Sequence, residues 1–214
     1  MEAWPRERVR ALYDGITSAD VEAALKRENR SIRDLAALLS PAAVPYLESM
    51  AREAQRLTRW HFGRTITLYA PIYISNLCAA DCVYCGFAAH SGSHEKRTTL
   101  TPEQIRRECQ ALSAMGYQNV LLLTGEAPRA VPVDYIAEAV SIARAHFASV
   151  SVEIYALDEA GYRALCSRGL EGVTLYMETY DRETYPKLHL GGQKMDYAFR
   201  LDAMRSEERR VGKE

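Results

Sequence analysis

Leu68-Tyr69-Ala70-Pro71-Ile72-Tyr73-Ile74-Ser75-Asn76-Leu77-Cys78-Ala79-Ala80-Asp81-Cys82-Val83-Tyr84-Cys85-Gly86-Phe87 carries two signals in succession. An apolar, β-prone run from Leu68 to Ile74 comes first. Cys78, Cys82 and Cys85 follow at once, in the spacing Cys-x3-Cys-x2-Cys. Thiolate is the ligand form for both iron–sulfur clusters and zinc. Three thiolates can hold three irons of a four-iron cluster and leave the fourth iron open to a small molecule, unlike a closed electron-transfer cluster. The alternative is a zinc site of three Cys and one His, with His90 or His94 as the fourth ligand. The long α/β pattern around the cysteines and the polar loop from Ala88 to His94 favour the cluster.

Working outward from this stretch, strand and helix signals alternate. Thr67 to Ser75 reads as the first strand. Thr101-Pro102-Glu103-Gln104 is a capping box with proline at the first helical position, and Gly116 ends that helix. Asn119 to Thr124 is a continuous apolar strand, Val133 to Phe147 a helix, and Val150 to Tyr155 a third strand. Asp158 caps a helix that ends at Gly169, Val173 to Thr179 forms a fourth strand, and Asp181 caps a further short helix. Buried-looking strands alternating with amphipathic helices predict a parallel α/β sheet with right-handed crossovers, as a barrel or a doubly wound sheet. In either fold reactive groups belong at the C-terminal strand ends. There the sequence places the cysteines, Gly125-Glu126, Glu153 with Tyr155, and Glu178-Thr179-Tyr180.

Residues 1–64 read as a separate helical region. Thr17 or Ser18, and Ser31, are candidate N-caps, and Ser40-Pro41 opens a helix ending at Gly63. That helix should bury Val44, Leu47, Ala51, Ala54 and Leu57 on one face. Cys109 and Cys166 stand at core positions and read as small buried hydrophobes. Five cysteines in 214 residues, without an export signal, point to a reducing cytoplasm rather than a disulfide framework. A formal charge of −1 with interspersed signs gives no electrostatic case for nucleic acid. No apolar run reaches membrane-spanning length.

With these residues in view, the chain resembles the radical S-adenosylmethionine (SAM) superfamily. Cys78-x3-Cys82-x2-Cys85 with Tyr84 before the last cysteine carries that resemblance. The run from Leu68 to Asn76, Cys85-Gly86-Phe87, Leu123-Thr124-Gly125-Glu126, Val173-Thr174-Leu175-Tyr176-Met177-Glu178-Thr179-Tyr180 and His189-Leu190-Gly191-Gly192 narrow it to the 2-iminoacetate synthase family, over about residues 18–204. The resemblance implies the N-terminal part of a (βα)8 TIM-type barrel over 65–204. It implies a [4Fe–4S] cluster on the three cysteines, with SAM on the open iron. It also implies radical cleavage of the Cα–Cβ bond of L-tyrosine to 2-iminoacetate (dehydroglycine) and p-cresol, yielding 5′-deoxyadenosine and methionine, for the thiazole of thiamine. Tyr84 matches an aromatic position near the adenine. Gly125 and Glu126 match the motif that meets the SAM amino group, with Glu153 and Tyr155 expected to face the same cavity. Arg200 is a candidate for the SAM carboxylate, and Glu178 and Tyr180 for the tyrosine pocket. A thiazole synthase partner and a reductant such as flavodoxin or ferredoxin follow from the same resemblance.

Two departures stand out: Met177 where the family has glutamine, and Ala156 where proline is common. Residues 205–214 do not resemble the family and read as a foreign, artefactual tail. The chain then reads as an incomplete barrel with an exposed edge and little turnover of its own. The tyrosine lyase of [FeFe]-hydrogenase maturation and a non-enzymatic zinc-stabilised domain are the rival readings.

Overall fold

Four parallel strands form one sheet in the order β1-β2-β3-β4: Tyr69–Ser75, Asn119–Thr124, Ser149–Glu153 and Gly172–Thr174. The computed structural model describes residues 5–92 and 95–211, with side chains up to residue 204 except that of residue 6. His94, one of the two histidines weighed as a zinc ligand, lies outside the described residues. The chain divides into two compact units, residues 1–66 and 67–214.

Register explains how the sheet serves two purposes. Ile72, Leu122, Val152 and Val173 stand side by side across the four strands. They belong to the main core with Ile136, Val140 and Leu165 of the covering helices. One residue further along, Tyr73, Leu123, Glu153 and Thr174 form the next lateral row. Successive side chains point to opposite faces, so this row occupies the opposite face near the C-terminal strand ends. Its tyrosine is 56% exposed. One face is therefore a hydrophobic core and the other a partly polar wall.

The helices of this unit follow their sequence signals. α5 (Pro102–Ala114) starts at the Thr101–Gln104 capping box and is followed by Gly116 at φ 93°. α6 spans Val133–Arg144, and α7 spans Glu159–Cys166 with the Asp158 carboxylate accepting from Gly161 N–H. The short α8 (Tyr185–Leu188) follows a turn in which Asp181 Oδ1 accepts from Thr184 N–H at 2.8 Å. α9 runs Tyr197–Val211, so the proposed boundary at residue 205 falls inside one helix.

The fourth strand is three residues long rather than seven. The backbone turns away beyond it and reaches φ 57° at Glu178, a left-handed value that a strand cannot contain. Cys109 is fully buried, whereas Cys166 is only partly buried, at the last residue of α7.

The N-terminal unit holds α1 (Arg6–Asp14), α2 (Ser18–Lys26), α3 (Ile32–Leu39) and α4 (Leu47–Phe62). Capping boxes Thr17/Asp20 and Ser31/Asp34 start α2 and α3. The small core is Val21, Ala24, Ala37 and Ala43. The expected buried face beginning at Val44 is not found: Val44 and Leu47 are 62% and 59% exposed, and α4 has no fully buried residue. Residues 41–46, with Pro45 inside, wind as a 3-10 turn, and the α-helix begins only at Leu47. That change of pitch breaks the phase on which the expected face depended.

Candidate functional site

The segment after β1 cannot pair as a strand, because it must turn across the sheet's C-terminal edge. Its backbone donors are taken by two distant segments. Ala79 N–H donates to Glu126 O at 2.8 Å, Asp81 N–H to Gly191 O at 3.2 Å and Val83 N–H to Leu188 O at 3.1 Å. In return Leu190 N–H donates to Asp81 O at 2.7 Å. The approach is close enough to require glycine. A Cβ on Gly125 would overlap the Leu77 carbonyl and lie 2.8 Å from Cys78 Cβ. One on Gly192, at φ 77°, would lie 2.8 Å from Ala79 O and Ala80 Cα. Arg97 closes the base of the loop, donating to Asn76 O at 2.9 Å and Phe87 O at 3.1 Å.

Cys78, Cys82 and Cys85 open onto one cavity of about 220 Å³. The row Tyr73, Leu123, Glu153 and Thr174 forms its floor, and Tyr84, Glu126, Glu178, Lys194 and Arg200 also line it. Among the described residues, no three His, Cys, Asp or Glu side chains converge on a position for a single ion. Arg200 is buried at 5% exposure and pairs with Glu126, and its Nε donates to Tyr176 O at 2.7 Å. It is thus no solvated helix charge. Lys194 Nζ donates to Glu178 Oε1 at 2.7 Å. Two buried oxygens in this cavity, Thr124 Oγ1 and Glu126 Oε2, have no hydrogen-bond partner among the described residues. Buried polar groups are nearly always satisfied, so a polar ligand is the natural partner.

Burial pushes the Cys82 thiol up, with the Lys194 charge opposing. Burial and the neighbouring Cys82 raise Tyr84, which therefore keeps its proton. Burial also raises Glu153, with Lys194 opposing. Loading a metal cluster would displace the thiol protons.

Not every expected residue reaches this cavity. Tyr155 does not: its hydroxyl donates to Val131 O at 2.7 Å, and burial pushes it up to about 12. β3 ends at Glu153, so strand alternation no longer sets the direction of residue 155. Tyr180 is 72% exposed and lines a separate small cavity with Met177 and Met204. Sequence reasoning missed His189 as a structural element of the site. It is fully buried, and its backbone bridges to Cys82. Its adjoining glycine pair was the available signal, since such a pair marks close backbone approach. His90 faces Asp81, with Nδ1 3.1 Å from the carboxylate.

Residues 72–207 match the radical SAM superfamily. The 2-iminoacetate synthase of Escherichia coli (strain K12) is 45% identical over 194 residues, covering 91% of this chain and 51% of that protein. The 2-iminoacetate synthase of Salmonella typhimurium (strain LT2) is 44% identical over the same length and shares. The crystal structure of HydG, a maturase of the [FeFe]-hydrogenase, superposes with a TM-score of 0.86 at 29% identity, covering 96% of this chain and 48% of that chain. The chain spans about half the length of the curated relatives it matches.

Proposed function

The chain belongs to the radical SAM superfamily, and on that premise we propose that it is the N-terminal part of a tyrosine lyase of the 2-iminoacetate synthase type. The reaction is cleavage of the Cα–Cβ bond of L-tyrosine to 2-iminoacetate and p-cresol, for the thiazole of thiamine. Superfamily membership implies a [4Fe–4S] cluster and SAM as cofactors. The residues fit them: three cysteines and two buried oxygens without a partner among the described residues line one cavity. That arrangement is the observation that carries the reading.

When bound, the cluster and SAM supply the one-electron chemistry that hydrogen abstraction requires. Cys78, Cys82 and Cys85 would hold three irons. Glu126 Oε2 would accept from an ammonium group, and Arg200, whose Nη1 and Nε are held by Glu126 and Tyr176 O, would turn its remaining Nη2 to a carboxylate. Glu153 and Glu178 add acceptors, and the Tyr84 ring forms a flat wall beside the cysteines. Leu123, Tyr73 and Phe87 give the cavity an apolar side, and the buried Leu123 lies at its base.

Identity of 44–45% to the 2-iminoacetate synthases, against 29% to HydG, supports the thiamine branch over hydrogenase maturation. No helix among the described residues is long and apolar enough to cross a membrane. We place the enzyme in the cytoplasm, with a flavodoxin or ferredoxin as reductant and a thiazole synthase receiving the imine, which water hydrolyses readily.

The test is anaerobic reconstitution with iron and sulfide, then EPR of the reduced protein with and without SAM. A four-iron signal that changes shape on adding SAM is expected, and the Cys82→Ala variant should form no 5′-deoxyadenosine. Zinc uptake without a cluster, or deoxyadenosine from that variant, would remove the assignment.

A further inference from the structure

We propose that His189 is a positioning residue that fixes Tyr84 and the cysteine loop as one rigid wall of the ligand cavity. The inference rests on the reading above for the identity of the ligand, but its geometry is independent of it. His189 is fully buried between two aromatic rings. Its ring lies 4.0 Å from that of Tyr185, tilted by 34°, and meets Tyr84 edge-on at 5.6 Å. Its Nδ1 lies 2.9 Å from Tyr185 O and its Nε2 2.8 Å from Tyr84 Oη.

The Glu178 carboxylate also lies 3.6 Å from Nε2, but beyond hydrogen-bond distance and held by Lys194, so the two closer partners set the tautomer. A carbonyl oxygen can only accept, so Nδ1 carries the hydrogen and donates to Tyr185. In the neutral ring Nε2 is then an acceptor, and the Tyr84 hydroxyl donates to it. The phenol is thereby held against the buried side while its ring lines the cavity.

The backbone reinforces the side chain. Residues 188–191 hold Asp81 and Val83 through the hydrogen bonds already described, and His189 pairs with Cys82 as an isolated antiparallel bridge. Tyr84 thus sits between two cluster-binding positions on a loop clamped at its centre by one distant segment. Without the Tyr84–His189 bond, a 48% exposed tyrosine would sample several rotamers across the cavity mouth. Binding a ligand there would then require reordering it.

The experiment uses five proteins: unaltered, Tyr84→Phe, His189→Phe, the double variant and His189→Gln. Each is reconstituted anaerobically and matched for iron and sulfide content. The SAM dissociation constant is then measured by equilibrium dialysis. Each single phenylalanine variant should weaken SAM by about tenfold, the worth of one well-placed hydrogen bond. The double variant should be no worse than either. His189→Gln, which keeps an acceptor near Nε2, should recover most of the loss. Additive losses, or unchanged affinity in His189→Phe, would overturn the proposal. Should His189→Phe fail to fold, Tyr84→Phe and His189→Gln test the same bond. Ring ¹⁵N NMR of His189 provides a readout without SAM. A protected Nδ1–H whose partner Nε2 resonance shifts in Tyr84→Phe upholds the bond, and an Nε2–H tautomer defeats it. Unaltered protein that binds a cluster but no SAM would defeat the cofactor reading alone, leaving the tautomer to decide this one.

Discussion

Gly125 shows how narrow the tolerances are beside the cysteines. Its absent side chain is the space occupied by the Leu77 carbonyl and Cys78 Cβ. Gly125→Ala should push the cysteine loop off the strand end and lower iron uptake severalfold, because strand ends yield less readily than loops. Iron content measured against an unchanged far-UV circular dichroism spectrum checks this, and normal loading would show that the loop can shift. Cys109 offers a contrast. Burial pushes its thiol up to about 11. It should therefore stay protonated and resist iodoacetamide at pH 8 in the native chain, reacting at least tenfold more slowly than the partly exposed Cys166. Peptide mapping after timed alkylation reads this directly. The cysteine spacing and the Thr-Gly-Glu run were legible in the sequence because their chemistry is local. Tyr155 was misread and His189 went unread as a support, because both depend on where the chain turns after a strand.

Among the elements, capping carried most of the legible information. Thr17, Ser31, Thr101 and Asp158 each start a helix where a short polar side chain precedes an apolar period. Strand lengths were less legible, since β4 stops pairing after Thr174 with no proline or glycine there to mark its end. The α4 face was lost to Pro45, whose effect on pitch a helical period cannot show. Ser31→Ala should cost the N-terminal unit about 1 kcal/mol, readable in its urea midpoint. The same box predicts a pH dependence. Hydrogen bonds from the Ser31 side chain and backbone hold the Asp34 carboxyl below its usual range. A folded value below the unfolded one stabilises the fold above roughly pH 4 and is lost as pH falls through the folded value. The melting temperature of this unit should fall between pH 5 and pH 3 by less in Asp34→Asn than in the unaltered chain. Equal slopes would mean that other carboxylates dominate.

For the whole molecule, the sheet order and the sidedness of its rows decide behaviour. The helix-facing row is sealed, whereas the opposite face presents Tyr69 and Tyr73 at 58% and 56% exposure. A native chain with such a face should enhance the fluorescence of anilinonaphthalene sulfonate a few-fold without denaturant. No enhancement from a monomer, verified by sedimentation, would count against that exposure. The parallel sheet itself was legible from alternation alone. Whether it curves into a barrel was not, because curvature is set by contacts between strands distant in sequence.

The clamp on the cysteine loop also has a bearing on synthesis. Tyr84 and His189 are 105 residues apart in the chain. At roughly 5–20 residues per second, their emergence from a ribosome is separated by roughly 5–20 s. During that interval the nascent chain carries its three thiols on an unbraced loop, open to oxidation and to the wrong metal. On the proposed reading, productive loading belongs after residue 192 has emerged, and a cell making this chain gains from keeping the growing polypeptide shielded until then.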